Sequence, residues 1–155
     1  MAKKKIRIFI SSPGDVQQER KIARKVISEL NELYSRFVEI EVLMWEDFPL
    51  TVDSTFQEGI DFFLKEDVID FAIFILWSRL GTPLCSKFLK PDGTPYQSGT
   101  EYEYDLMWDL YRKKGAPRIL TYKKTTEPLF SSRNADELLE LIRQKEGVKS
   151  FLAEH

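Results

Sequence analysis

The stretch SGTEYEYD, residues 98–105, carries three carboxylates, and side chains of this kind can stabilise a cation or transfer a proton. At about 100° per residue in a helix, Glu103 lies roughly 200° from Glu101. Glu101 falls on the side predicted to face solvent, together with Asp105, Asp109 and Arg112. Glu103 falls on the side of the apolar residues Leu106, Met107, Leu110 and Tyr111. A buried carboxylate is costly without a partner, so the position of Glu103 needs an explanation, and a catalytic role is one candidate.

A structural role for Glu103 is the alternative. Thr100 and Glu103 match the S/T-x-x-E capping box, in which the glutamate would accept a hydrogen bond from the N–H of Thr100. Ser98 and Glu101 match the same pattern, so the helix can be capped without Glu103. Both interpretations are open at the level of these residues.

The composition excludes several other chemistries. His155 is the only histidine and Cys85 the only cysteine, so a Ser-His-Asp triad, a Cys-His pair and a multi-histidine metal site are not expected. Neither GxxxxGK[ST] nor GxGxxG occurs. Catalysis would therefore depend on carboxylates, hydroxyls or arginine. We expect no metal and no cofactor.

The totals describe an ordinary globular domain. The chain has 155 residues, 43% of them hydrophobic, and a net charge of −2, which argues against nucleic acid as a partner. The longest apolar run, residues 71–77, is far shorter than the ~20 residues of a membrane span, so we expect no membrane partner. A single cysteine excludes an internal disulfide and fits a reducing compartment, so we predict a cytoplasmic location.

Four apolar or alternating segments predict strands, at residues 5–10, 38–45, 70–77 and 117–122. A helix is predicted from Thr100 to Lys114, ended by Gly115. Strands that alternate with helices indicate an α/β doubly wound parallel sheet. The loop at 78–99 is long and rich in glycine and proline, and such loops are usually functional or mobile.

Three further helices are expected. Ser12 would cap the first, with Pro13 at its first position. The apolar residues of that helix form one stripe that we expect to face the core: Ile22, Val26, Leu30, Leu33 and Phe37. A short helix is predicted around Phe56, Ile60, Phe63 and Leu64, and a last one is predicted to be capped by Asn134 with Glu137 and to carry Leu138, Leu141 and Ile142.

The loops after successive parallel strands emerge at the same edge of the sheet, where ligands bind. SSPGD follows the first strand, WEDFP the second, and WSRLGTP through SGTEYE the third. The most distinctive polar segments therefore meet at the carboxyl edge, and Glu103 lies one turn into a helix that starts there.

Taken in order, IRIFISSPGDVQQER, WEDFP, DFAIFILWSRLGTP and SGTEYEYD resemble the TIR-like domains of the Toll/interleukin-1 receptor superfamily, in a branch found at the N-terminus of multidomain proteins. The resemblance extends to about Tyr122. It implies a flavodoxin-like sheet of order 2-1-3-4-5. We therefore expect residues 1–155 to be a single TIR-like domain. It would be a fragment of a larger protein, and the fragment would lack the fifth strand.

Many TIR domains cleave NAD at the nicotinamide–ribose bond with one glutamate, and the position that matches it here is Glu103. SGTEYE is also similar to the SGTxxE stretch of nucleoside deoxyribosyltransferases, which again places the catalytic glutamate at Glu103. The resemblance implies NAD or a related nucleotide as substrate. The expected substrate-binding residues are Ser11, Ser12, Asp15, Trp45, Trp77, Ser78, Arg79, Gly99 and Thr100.

Two alternatives to NAD hydrolysis are a deoxyribosyltransferase-like nucleotide-binding domain and a non-catalytic module that self-associates in signalling or defence. Self-association through TIR-like surfaces is expected in the full-length protein, with the loop at 46–55 as the main contact. The isolated domain is predicted to be a monomer or weak dimer with little activity.

Overall fold

Strand β1, Lys4–Ser11, lies inside a four-stranded sheet in a computed structural model that describes residues 3–44, 69–84 and 88–155. It pairs in parallel with β2, Val38–Met44, on one side and with β3, Phe71–Leu76, on the other. Strand β4, Arg118–Lys123, pairs in parallel with β3, so the order is β2-β1-β3-β4. The four strands are the ones predicted.

Helices cover both faces of this sheet. On one face of the sheet lie α2 (Gly99–Lys114) and α3 (Ala135–Glu154). Both helices share an apolar cluster with side chains of β1 and β3, and the members of this cluster include Phe9, Phe74, Tyr104, Met107 and Phe151. On the other face, α1 (Gln17–Leu33) packs on Ile8 and Ile10 through Ile27. The protein is thus an α/β doubly wound parallel sheet, and its strand order agrees with the first four strands of a flavodoxin-like fold.

The start of α1 differs from the prediction. Ser12 does not cap it, because Pro13 is extended and is followed by a 3₁₀ turn, Gly14–Val16, so the α-helix begins at Gln17. The turn follows the end of β1 and places Val16 in the core. A proline beside a serine therefore marks a turn here and not the first turn of the α-helix.

The apolar stripe of α1 was also predicted wrongly. Ile27 is the buried apolar residue of this helix, whereas Ile22 is 62% exposed and Val26 is 47% exposed. Leu33 and Phe37 are both 72% exposed, and Phe37 lies beyond the end of the helix. The helix is rotated so that Ala23 and Ile27 meet the sheet, which leaves the 22-26-30 row at the edge of the contact.

The later helices follow the prediction closely. Gly115 ends α2 in the left-handed conformation, with φ of 74°, which glycine adopts without strain. Asn134 caps α3 through its side chain, which accepts a hydrogen bond from the N–H of Asp136. The predicted part of Glu137 in this cap is wrong, because the N–H of Asn134 donates to Oγ of Ser132 and the carboxylate of Glu137 accepts from the Ser132 hydroxyl instead. The predicted helix around Phe56 and the loop at 46–55 lie outside the described residues. None of the helices in the described ranges is long and apolar enough to span a membrane.

Candidate active site

The carboxyl end of β1 meets the first turns of α2 through a buried hydrogen bond. Ser11, the last residue of β1, donates from its hydroxyl to Oε2 of Glu103. Both side chains are enclosed, and Glu103 is only 6% exposed. The sequence prediction that Glu103 faces the sheet at its carboxyl edge is therefore confirmed.

Burial changes the acidity of this carboxyl group. Desolvation raises the pKa of Glu103 from 4.5 to about 7, because the charged form is disfavoured away from water. The Ser11 hydroxyl acts in the opposite direction and lowers this pKa, since its donated hydrogen bond stabilises the carboxylate. Glu103 therefore populates both protonation states near neutral pH, which suits a group that transfers a proton or stabilises a cation.

The N-terminus of α2 is capped by other residues. Ser98 is the N-cap, and its Oγ accepts a hydrogen bond from the N–H of Glu101 at 3.1 Å. Glu101 in turn accepts one from the N–H of Gln97 at 2.7 Å. The capping box between Thr100 and Glu103 is thus wrong as an explanation of Glu103, because Ser98 and Glu101 perform that function two residues earlier.

Glu101 itself was predicted on the solvent side, and it is buried instead. It is 4% exposed, and its Oε1 accepts a hydrogen bond from Nζ of Lys90 at 2.5 Å. Lys90 belongs to the long loop before α2, which folds over the side of the helix that periodicity assigned to solvent. Asp109 and Arg112 remain exposed, as predicted.

Asp105 is half-buried on the same side of α2. Its Oδ1 lies 3.5 Å from Nε2 of His155, at the end of α3. Burial raises the pKa of Asp105. The pKa of Tyr96 is raised to about 12, mainly by burial and in second place by the negative charge of Asp105. The loop before α2 and the end of α3 therefore both contact this side of the helix, which fixes the orientation of Glu103 on the other side.

A second connection joins the loops after β1 and β3. Oδ2 of Asp15 accepts hydrogen bonds from both the N–H and the hydroxyl of Ser78, at 3.0 and 2.9 Å. The other oxygen of this carboxylate, Oδ1, and the hydroxyl of Ser12 are enclosed without a hydrogen-bond partner. Three predicted binding residues, Ser12, Asp15 and Ser78, are thus grouped on two loops at the carboxyl edge of the sheet.

Trp77 continues this edge toward β4. Its ring lies beneath the ammonium group of Lys124, 4.2 Å from the ring centroid, and its indole N–H donates to the carbonyl of Thr126 at 2.6 Å. With Asp15 and Lys124 it lines a cavity of about 300 Å³. Trp77 therefore forms one wall of a small polar pocket beside Asp15.

Of the remaining predicted residues, Gly99, Thr100 and Arg79 lie at the same edge of the sheet. Gly99 and Thr100 are the first residues of α2, and Thr100 is buried. Arg79 is exposed. Trp45 lies outside the described residues. Among the described residues no group of histidine, cysteine, aspartate and glutamate side chains is placed to hold a metal ion.

Sequence reasoning missed Lys90 and Lys124. Both are lysines whose ammonium groups are held by a glutamate from a distant segment: Lys90 by Glu101, and Lys124 by Glu19 at 2.6 Å. Periodicity carries no signal for such pairs, because each depends on how a loop folds over a helix. The only local indication was the PDG turn after Lys90, which returns the chain toward α2.

The fold and the site together define an α/β protein with a buried carboxyl group, whose pKa is raised to about 7, at the carboxyl edge of its sheet. Comparison of the chain with protein-family models, with curated proteins and with solved structures finds no match.

Proposed function

We propose that this domain cleaves the N-glycosidic bond of a nucleotide, with NAD as the substrate, and that Glu103 is the catalytic residue. The proposal depends on one observation above all: Glu103 is a buried carboxyl group, held by Ser11 at the ligand-binding edge of a doubly wound sheet. The TIR-like pattern of the sequence motifs, from SSPGD to SGTEYE, supports the choice of NAD.

The chemistry fits the residues present. Nicotinamide is positively charged in NAD and leaves as a neutral base without protonation, so the site needs no histidine as general acid. The ribose that remains is an oxocarbenium-like cation, as in glycoside hydrolysis. The carboxylate of Glu103 stabilises this cation, and water attacks it to give ADP-ribose and a proton. Its Ser11 hydrogen bond favours the charged form that this role requires.

The neighbouring groups supply binding. Ser12, Asp15 and Ser78 offer hydroxyl and carboxylate oxygens to the ribose hydroxyls or, through the serine hydroxyls, to the diphosphate. The indole of Trp77 offers an apolar face beside them, and Arg79 is exposed at the start of the same loop. These assignments extend the proposal to substrate orientation.

The direct test is incubation of the purified protein with NAD, with nicotinamide release followed by chromatography, in dilute and in crowded solution. Glu103→Gln keeps the shape of the side chain and removes its charge, so turnover should fall by at least about a hundredfold. Asp109→Asn, on the exposed side of α2, is the matched control and should leave turnover unchanged. Absence of nicotinamide release from the domain and from the intact parent protein would leave a non-catalytic assembly module as the function.

Base exchange between nucleosides is a second candidate, favoured by the pKa of about 7 at Glu103. A neutral purine base leaves more easily when it is protonated, and a half-protonated carboxyl group at neutral pH can supply that proton. Separate calorimetric titrations with ADP-ribose and deoxyadenosine discriminate the two. Binding of the nucleoside alone would replace NAD by a nucleoside substrate.

The pH profile gives an independent discriminator. Hydrolysis of NAD needs ionised Glu103, so its rate should rise with pH through about 7. Protonation of a neutral leaving base needs protonated Glu103, so base exchange should slow over the same range.

A further inference from the structure

A cavity rich in lysine lies beyond the carboxyl end of β4, between the loop that follows this strand and α3. Among the described residues, five charged side chains line it, and four of them are basic: Lys123, Lys124, Lys145, Lys149 and Glu127. The chain as a whole has a net charge of −2, so this concentration of positive charge is local. The loop after β4 leaves the same edge of the sheet as the loops that carry the candidate site, and ligands of such folds bind at this edge.

Two separate segments supply the lysines that surround the cavity. Lys123 is the last residue of β4, whereas Lys145 and Lys149 are four residues apart in α3 and therefore lie on one side of that helix. Val148, beside Lys149, is 1% exposed and belongs to the apolar core. The backbone that carries the lysines is thus set by the sheet and by the packing of a helix.

Glu127 lies among these three ammonium groups. Nζ of Lys145 donates a hydrogen bond to Oε2 of Glu127. This hydrogen bond lowers the pKa of Glu127, and the charges of Lys149 and Lys123 lower it further. One carboxylate therefore marks a point at which the fields of three lysines overlap, and a negatively charged group of a ligand would be stabilised at the same point.

The contacts that hold Glu127 are easily exchanged. Its side chain is 79% exposed, whereas that of Lys145 is 28% exposed. Lys149 pairs with Glu146 of its own helix, and both of these side chains are more than half exposed. Exposed ion pairs contribute little to stability, because water competes for both partners. A ligand with a higher negative charge than a carboxylate can therefore displace Glu127 without disturbing the fold.

Lys124 has a different role, because its ammonium group is held by Glu19 at 2.6 Å and lies over the ring of Trp77. Trp77 and Lys124 line both this cavity and the cavity beside Asp15. The lysine cavity has a volume of about 180 Å³. Pockets that enclose a whole small molecule have about 300–1,000 Å³, so this one fits a single charged group, and the adjoining cavity leaves room for the rest of a larger ligand.

We propose that this cavity is a phosphoryl-binding site, in which Lys123, Lys145 and Lys149 hold the anion and the ligand displaces Glu127. A phosphoryl group has up to two negative charges and three terminal oxygens, so it can accept one hydrogen bond from each ammonium group. A carboxylate has one charge and two oxygens, and it is the weaker occupant. The proposal does not depend on the catalytic role of Glu103.

Calorimetric titration of the complete chain with inorganic pyrophosphate at low salt tests the site. The wild-type protein should bind pyrophosphate, and Lys145→Met with Lys149→Met should weaken binding at least about tenfold, because two charged donors are lost while the aliphatic stems remain. Glu127→Gln should tighten binding by about fivefold, since no carboxylate then competes for the lysines. A gain in affinity cannot result from damage to the fold.

The matched control is Lys113→Met with Lys114→Met, which removes the same charge from exposed positions of α2 and should leave the affinity unchanged. ADP is the second probe: tighter binding of ADP than of pyrophosphate identifies a nucleotide as the ligand, and equal or weaker binding identifies a free inorganic anion. The proposal is overturned if neither the wild-type protein nor Glu127→Gln binds pyrophosphate, or if Glu127→Gln binds it no more tightly than the wild type. It is also overturned if the α3 lysine pair weakens binding no more than the α2 pair does, because the affinity would then reflect overall charge or another site.

Discussion

Ser11 and Glu103 are 92 residues apart in the sequence and are joined by a buried hydrogen bond between the end of β1 and the second turn of α2. This bond shows why a carboxylate lies on the apolar side of its helix. Glu103 is directed at the carboxyl end of the neighbouring strand, where a hydroxyl group meets it. The N-cap of α2 is made separately by Ser98 and Glu101, so helix capping places no requirement on Glu103.

Glu103→Gln should stabilise the protein at alkaline pH. The pKa of Glu103 is 4.5 in the unfolded chain and about 7 in the folded one, so between these values the folded state holds more protons. The free energy of unfolding therefore falls as the pH rises from about 4.5 to 7 and is constant above. The total loss is about 3 kcal/mol, since each pH unit in this interval costs about 1.4 kcal/mol. Glutamine does not titrate, so the variant should lack this loss.

Urea denaturation at pH 4.5 and pH 8 measures this effect. The wild-type protein and Glu103→Gln should differ little at pH 4.5, and at pH 8 the variant should be more stable by up to about 3 kcal/mol. Asp109→Asn, on the exposed side of the same helix, should follow the wild-type protein at both values. Equal stability of the wild type and Glu103→Gln at both pH values would show that the carboxyl group is not buried as described.

Ser11→Ala should raise the pKa of Glu103 further. The hydroxyl of Ser11 lowers this pKa by donating to the carboxylate, and alanine cannot donate. The ionisation midpoint, followed by carbon NMR of the labelled side chain, should shift to higher pH, and the protein should lose about 1 kcal/mol of stability with the hydrogen bond.

The adjacent serine provides the control for that substitution. The hydroxyl of Ser12 is buried without a hydrogen-bond partner, so Ser12→Ala removes an unsatisfied polar group. We expect no shift of the Glu103 titration and unchanged or slightly increased stability. An equal shift of the Glu103 midpoint in the two alanine variants would mean that both substitutions loosen the loop. The hydrogen bond from Ser11 would then not be the specific cause of the shift.

The four strands and the side of α2 that carries Glu103 could be predicted from the sequence, because both follow from local periodicity. The order of the strands does not follow from periodicity, and it was expected only from the resemblance of the motifs to TIR-like domains. The solvent side of α2 could not be predicted. Glu101 is buried by Lys90, which reaches it from a loop without periodicity. The rotation of α1 could not be predicted either, since Ile22 and Ile27 are equally apolar and only the packing geometry selects Ile27 for the core.

Glu101→Gln should be destabilising. Glu101 is 4% exposed and joins Lys90 to the first turn of α2, while it also accepts the hydrogen bond from Gln97. Glutamine keeps the backbone contact and removes the charge that faces the ammonium group. Because Lys90 is partly exposed and can turn to water, we expect a loss of about 2 kcal/mol, below the range for fully buried pairs. Thermal denaturation of Glu101→Gln and Lys90→Met should give similar losses, and negligible losses in both would place Glu101 on the surface.

Asp15→Ala should weaken the connection between the loops after β1 and β3. The substitution removes the acceptor of two hydrogen bonds and leaves the N–H of Ser78 without its partner in a buried position, so we expect a loss of about 2 kcal/mol. Ser78→Ala removes only the hydroxyl bond and should cost about 1 kcal/mol.

A double-mutant cycle of the two, measured by denaturation, should give a coupling of about 1 kcal/mol, because Ser78→Ala has no hydroxyl bond left to lose once Asp15 is alanine. Asp15→Asn is the informative conservative variant: its amide oxygen can accept both bonds, while its NH₂ replaces the enclosed oxygen Oδ1, so most of the stability should return. Additive losses in the cycle would mean that the hydroxyl of Ser78 does not interact with the carboxylate of Asp15, which would contradict the geometry described for this pair.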